Sequence, residues 1–221
     1  MTLNELFYTT INNIYAFRTQ LSKALLLPFI LSVLLDVLSL TWSNFFFGVI
    51  YSILSLTLRT IFAITTHRMI LLGPSHVPEW GIIKWSRREN VFIFHILALV
   101  LILFLISFLF FLFHHVAIIF IILLILYILL LIPRLSLVFP AIAIGDACTF
   151  KNSWFFTKNY QKLMVFSTIL IPLIVSIPEI LIGYIPHTFL IVSVLSNLTI
   201  IIGVSSLSLS YRFIKEAVLN S

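Results

Sequence analysis

Apolar residues run through this chain in six long blocks: Ala24–Leu40, Phe45–Ile64, Val91–Phe113, Val116–Ile132, Leu163–Ile185 and Thr188–Ser210. A helix needs about 20 apolar residues to cross a hydrocarbon core about 30 Å thick, and these blocks approach or reach that length. In lipid every backbone polar group must bond within its own segment, so the blocks predict helices. The strict in–out alternation of barrel strands is absent. The expected fold class is all-α: a polytopic membrane protein, its six transmembrane helices paired as three hairpins.

Polar residues divide the connections into two kinds. Thr41–Asn44, His114–His115 and Pro186–His187 are tiny and carry no Lys or Arg. The 13 basic residues lie in the other connections, near the termini, or towards the matching helix ends. Short loops rich in Lys and Arg stay in the cytoplasm, so both termini are expected there, in a bacterial cytoplasmic (inner) membrane. Arg59 lies deepest, roughly 21 Å along its span at about 1.5 Å per residue.

The basic connections share a motif. Trp80, Lys84 and Arg88 are spaced four apart, as are Trp154, Lys158 and Lys162, and each set leads into a new apolar block. Four-residue spacing stacks side chains on one helical face. Tyr15, Arg18 and Lys23 form a looser version before Ala24. Aromatic rings favour headgroup depth while Lys and Arg stems reach the phosphates, so these stretches predict cytoplasmic interfacial amphipathic helices. A second mark recurs at the returning blocks: Arg59, Arg134 and Arg212, at separations of 75 and 78 residues, against 74 between Trp80 and Trp154. One integral membrane domain over 1–221 is expected, built as tandem units of about 1–66, 67–144 and 145–221.

Composition sharpens the class. At 62% hydrophobic, 9% charged and mean hydropathy +1.21, the chain has too little polar surface for a soluble domain of 221 residues. The net charge of +6 follows from inner-side anchoring, so it does not imply a nucleic-acid partner. The first block is read as a retained span, because no small-residue cleavage site follows it. The lone Cys148 excludes an intrachain disulfide and leaves no Cys/His spacing for zinc. Pro133 and Pro140 bracket Arg134 and predict a bent segment there.

Candidate chemistry is sparse. Gly48, Ser52, Ser55 and Arg59 form one stripe, and Ser196, Thr199, Gly203, Ser206 and Ser210 another. Small and hydroxyl residues at such intervals favour close helix contacts, which places spans two and six inside. Span three and the nearly all-apolar span four are expected to face lipid. Asp36, His114, His115, Glu179 and His187 lie towards the outer side. Intramembrane ionisable groups merit a functional hypothesis, here a proton or metal site if they converge. No phosphate loop, HExxH or nucleophile elbow occurs. The reading is therefore of no enzyme activity, cofactor or resident metal.

In the fourth connection, Arg134, Leu135, Ser136, Pro140, Ala141, Ser153, Trp154, Lys158 and Asn159 form a pattern. It resembles a family of poorly characterised bacterial multi-span membrane proteins, related to the membrane region of some glycerophosphodiester phosphodiesterases. The resemblance implies a six-span membrane fold and brings no activity, since the hydrolase's catalytic domain is absent. The expected function is non-enzymatic binding of lipid headgroups or a membrane-protein partner. The anchoring candidates are Arg59, Trp80, Lys84, Arg88, Arg134, Trp154, Lys158, Lys162 and Arg212. The alternative is a small transporter or channel using the polar stripes of spans two and six.

Overall fold

The structure, a computed structural model, describes residues 2–41, 44–80, 85–112 and 117–219. Lys84, His114 and His115 lie outside the described residues. Among them every regular element is helical and none is a strand, with six segments long and apolar enough to cross a membrane: Arg18–Thr41, Phe45–Leu72, Arg87–Leu112, Ile118–Ile144, Gln161–Gly183 and Phe189–Leu219. The chain is a multi-pass membrane protein. Most spans extend beyond their apolar blocks at the end carrying the basic residues, because a helix ladder continues through polar residues once lipid and packing have fixed its start. The second gains two turns, to Leu72 rather than Ile64, and the sixth runs on to Leu219 rather than Ser210.

Helix α1 (Leu3–Ala16) begins with a reciprocal capping box. Thr2 N–H donates to Glu5 Oε2 at 2.7 Å, and Glu5 N–H donates to Thr2 Oγ1 at 3.3 Å. Its Leu6 and Thr10 are fully buried, and it packs against the last helix. The first hairpin pairs α2 (Arg18–Thr41) with α3 (Phe45–Leu72), whose N-terminus Asn44 caps. The second pairs α4 (Arg87–Leu112) with α5 (Ala117–Leu126).

The fourth span then changes character. A π-helical turn, Tyr127–Leu131, leads into α6 (Ile132–Leu135), and a turn at Ser136–Leu137 separates this from α7 (Val138–Ile144). The bend expected around Arg134 is there. A second π-helical turn, Phe166–Leu170, joins α9 (Gln161–Val165) to α10 (Ile171–Gly183), which pairs with α11 (Phe189–Leu219) as the third hairpin. Each π turn ends two residues before a proline, Pro133 or Pro172. Proline offers no N–H to the carbonyl four residues earlier, which favours a local widening of the ladder.

The α3–α11 contact forms the centre, with α2, α7 and α10 around it. Spans two and six are interior, but only the span-six stripe provides the contact. The means differ between the two stripes. On α11, Gly203 lets Pro172 approach so closely that an added Cβ would lie 3.1 Å from its Cγ. Ser206 and Ser210 are buried, and the Ser206 hydroxyl donates to the Ser167 carbonyl at 2.8 Å. The α3 stripe needs correcting. Gly48 has nothing within 4 Å of an added Cβ, Ser52 and Arg59 are exposed, and Ser52 bonds its own helix at Gly48 O. The buried side of α3 is instead Thr60, Phe62, Ile64–His67, Met69 and Ile70. Outward-facing α4 is the least buried span. The fourth span is divided: α5 is largely exposed, while α7 is buried against α3 and α4.

Candidate functional site

The basic connections form the principal site, and neither tryptophan set lies on one continuous helical face. Pro74–His76 is a 3-10 turn, Trp80 follows in a turn, and α4 starts only at Arg87. Trp80 and Arg88 therefore sit on different elements. In the later set, α8 (Phe150–Phe156) carries Trp154, a turn follows at Thr157–Asn159 with Lys158, and Lys162 is the second residue of α9. The four-residue spacing was real in sequence and not helical in space, because the non-helical Trp85–Ser86 and the Thr157–Asn159 turn interrupt the ladder. Lys158 and Lys162 nevertheless line one shallow recess with Thr2 and Gln161.

Arg134 stands at the junction of α6, α8 and α9. Its guanidinium lies over the Trp154 ring, 4.4 Å from the centroid, and its Nε donates to Gln161 Oε1 at 2.8 Å. The Arg134 carbonyl accepts from the hydroxyl of fully buried Ser153 at 2.6 Å, and the Thr157 hydroxyl, 3.3 Å from it, donates to the nearer Ser153 carbonyl at 2.8 Å. Gln161 Nε2 donates to the Leu129 carbonyl at 2.8 Å, the oxygen to which Pro133 has no N–H to offer. The junction thus satisfies a carbonyl at the π turn and leaves a cation–aromatic pair at the bundle end.

Arg212 has a different role from Arg134. Its Nη2 donates to the carbonyls of Ile70 and Leu71, the final turn of α3. A cation on orphan carbonyls at a helix C-terminus is favourable through both hydrogen bonding and the helix dipole. Gly73, at φ 89°, ends α3 in a region that L residues seldom adopt. The three recurring arginines are thus not equivalent: Arg59 is exposed within α3, Arg134 stacks on tryptophan, and Arg212 caps a helix.

The sequence reading passed over Glu89, which is fully buried at the start of α4. Its Oε2 accepts from the N–H and hydroxyl of Ser86, and its Oε1 accepts Arg88 Nε at 3.0 Å and Nη2 at 2.6 Å. Ser86 Oγ in turn accepts from Arg88 N–H at 3.3 Å. The Ser-Arg-Arg-Glu run is a capping-box signature, and that signal was readable.

A second latch closes the basic end. Asp146 Oδ2 accepts from the Tyr211 hydroxyl and from Lys215. Partial burial works against ionisation there, but the hydrogen bonds from Lys215 and Tyr211 and the Lys215 charge outweigh it. The carboxyl is thereby held below the ordinary aspartate value. Burial, and then the Asp146 charge, pushes the neighbouring Cys148 thiol up. A lowered carboxyl stabilises the fold above its unfolded pKa, and that contribution disappears as pH falls through the folded value. Asp146→Asn is therefore expected to melt below wild type at pH 7, with the difference closing under acid. Melting curves in detergent from pH 7 to 3 check this, and a constant difference would show that the charge is not what holds the latch.

The described outer polar residues form no common cluster. Asp36, half-buried, accepts from Tyr51 at 3.0 Å and Ser193 at 2.5 Å, joining α2, α3 and α11. Beside it, Ser32 donates to Asn197 Oδ1 at 3.4 Å. Glu179 lies on α10, and His187 (φ 66°) in the turn before α11. Among the described residues no three His, Cys, Asp or Glu side chains come together.

No family model matches the chain, and no curated protein or solved structure is significantly similar to it.

Proposed function

We propose that this is a non-enzymatic integral protein of the bacterial cytoplasmic membrane, with both termini cytoplasmic. Its basic end engages anionic lipid headgroups or a membrane-protein partner. The observation carrying this reading is the Arg134–Trp154 stack at the α6–α8–α9 junction, with Lys158 and Lys162 exposed in the same connection. A ring at headgroup depth beside free ammonium groups suits a zwitterionic-to-anionic surface.

Each basic residue near an anionic surface contributes about 1 kcal/mol. Replacing Lys84, Lys158 and Lys162 together by glutamine is expected to lower the anionic phospholipid that co-purifies from gently extracted membranes. Lipid mass spectrometry measures it. Unchanged anionic lipid in a correctly inserted variant would contradict the reading.

The Asp36 cluster favours a second reading, a small cation or proton transporter, since a carboxylate bonded across three spans is an intramembrane ionisable site. That reading expects flux in reconstituted vesicles which Asp36→Asn abolishes. Wild-type vesicles without flux across a panel of monovalent cations and protons would remove it.

A further inference from the structure

The last turns of α3, the Pro74–His76 turn and the start of α4 enclose a cavity of about 510 Å³, lined by Thr65, Arg68, Ser75, His76 and Arg88 among others. That volume falls within the roughly 300–1,000 Å³ of small-molecule sites. Both arginines are fixed along one edge. Arg68 donates to the His76 carbonyl through Nε at 3.0 Å and Nη2 at 2.9 Å. Arg88 uses the same two nitrogens on Glu89 Oε1. Each therefore keeps its Nη1 amino group without a hydrogen-bond partner among the described residues. Thr65 is fully buried in the lining, and its hydroxyl likewise has no partner there. The Ser75 hydroxyl lies at the exposed side, 3.1 Å from His76 Nδ1.

We propose that this cavity binds a phosphate group, carried by a lipid headgroup or by a small soluble phosphate. Two guanidinium groups, each held by bonds along one edge, and the hydroxyls of Thr65 and Ser75 give this one lining four hydrogen-bond donors. No carboxylate lines the cavity among the described residues, and Glu89, the nearest acid in the chain to Arg88, already has both oxygens engaged. An anion with several oxygens around one centre satisfies such a set, and arginine binds phosphate through parallel N–H bonds. Pre-organised side chains spare part of the ordering cost of binding. The lipid form of this proposal rests on the headgroup reading above; the soluble form does not.

The test uses the full-length protein in two arms. In one, nanodiscs of phosphatidylcholine with a minority of phosphatidic acid are examined by native mass spectrometry for retained lipid. In the other, inorganic phosphate is titrated against protein in dodecyl maltoside at constant ionic strength, with stabilisation read from the melting temperature. Binding in at least one arm is expected, weakened about tenfold or more by Arg68→Gln with Arg88→Gln, since bonds to charged groups are the stronger kind. Thr65→Val keeps both charges and removes only the unpartnered hydroxyl, and is expected to fold and to bind several-fold more weakly. It decides the matter should the arginine variants not fold. Lys158→Gln with Lys162→Gln, which the headgroup reading expects to shed lipid in the first arm, separates the two sites: the loss on Thr65→Val is expected to persist in that background.

Retention of phosphatidic acid that Thr65→Val weakens identifies a headgroup site in the cavity, and response to phosphate alone identifies a soluble ligand. Failure in both arms, or equal binding by wild type and the Thr65 variant, overturns the pocket. If the Lys158 and Lys162 variant still sheds anionic lipid in that case, the headgroup reading survives without it.

Discussion

Glu89→Ala is expected to cost about 3 kcal/mol of stability, the lower end for breaking a buried ion pair by removing one partner. The change strips the carboxylate from Arg88 and leaves the N–H and hydroxyl of Ser86 without their acceptor. Its effect falls on the least buried span. α4 is held chiefly by its first turns, where Phe92 packs with Ile64, Val138, Ile142 and Ala143. Glu89→Gln keeps the shape and one acceptor, so a smaller loss of about 1–2 kcal/mol is expected. The midpoint of SDS-induced unfolding in mixed micelles measures both. A Glu89→Ala variant within about 0.5 kcal/mol of wild type, the usual range of an ordinary surface change, would refute the anchoring role.

His67→Ala is expected to cost about 3 kcal/mol, mainly through the cavity left in the α3–α11 seam. The ring is buried, 6.3 Å from the Phe92 ring, and Nδ1 lies 2.7 Å from Ser208 Oγ. The Ser208 hydroxyl has one hydrogen and two acceptors in reach, the Val204 carbonyl at 2.8 Å and His67 Nδ1; when it donates to Val204, the imidazole is the donor as the Nδ1–H tautomer. His67→Leu restores most of the volume and leaves the Ser208–Val204 bond in place, so only about 1 kcal/mol is expected to be lost. The same unfolding midpoint separates the two. Equal losses for alanine and leucine would show that the hydrogen bond, not the packing, is what the seam needs.

Lipid made the spans legible. It demands a long apolar run and internal backbone pairing, so the six helices and three hairpins followed from the blocks and their tiny turns. It also hid which side of each helix is buried. Protein interior and hydrocarbon are equally apolar, so the Gly48–Arg59 interval gave a face of α3 but not its direction, and that face turned outward. Spacing misled where a ladder was broken: Trp80, Lys84 and Arg88 fit a helix until the non-helical Trp85–Ser86 is considered. Contacts between distant segments had no local signal at all. The Arg212 cap on α3 joins residues 142 positions apart, and the Gln161 bond to Leu129 joins residues 32 apart. The Ser86–Glu89 cap was local and readable, and was obscured by assigning the whole stretch to one interfacial helix.

Orientation underlies every functional statement, since headgroup binding requires the basic end to meet the cytoplasmic leaflet. In a Cys148→Ser background, a single cysteine introduced as Tyr184→Cys or as Lys158→Cys is treated with a membrane-impermeant maleimide on intact cells. Both positions are exposed. Labelling of Tyr184→Cys before lysis, and of Lys158→Cys only after it, is the predicted result. Labelling of Lys158→Cys on intact cells, with Tyr184→Cys protected, would contradict the account.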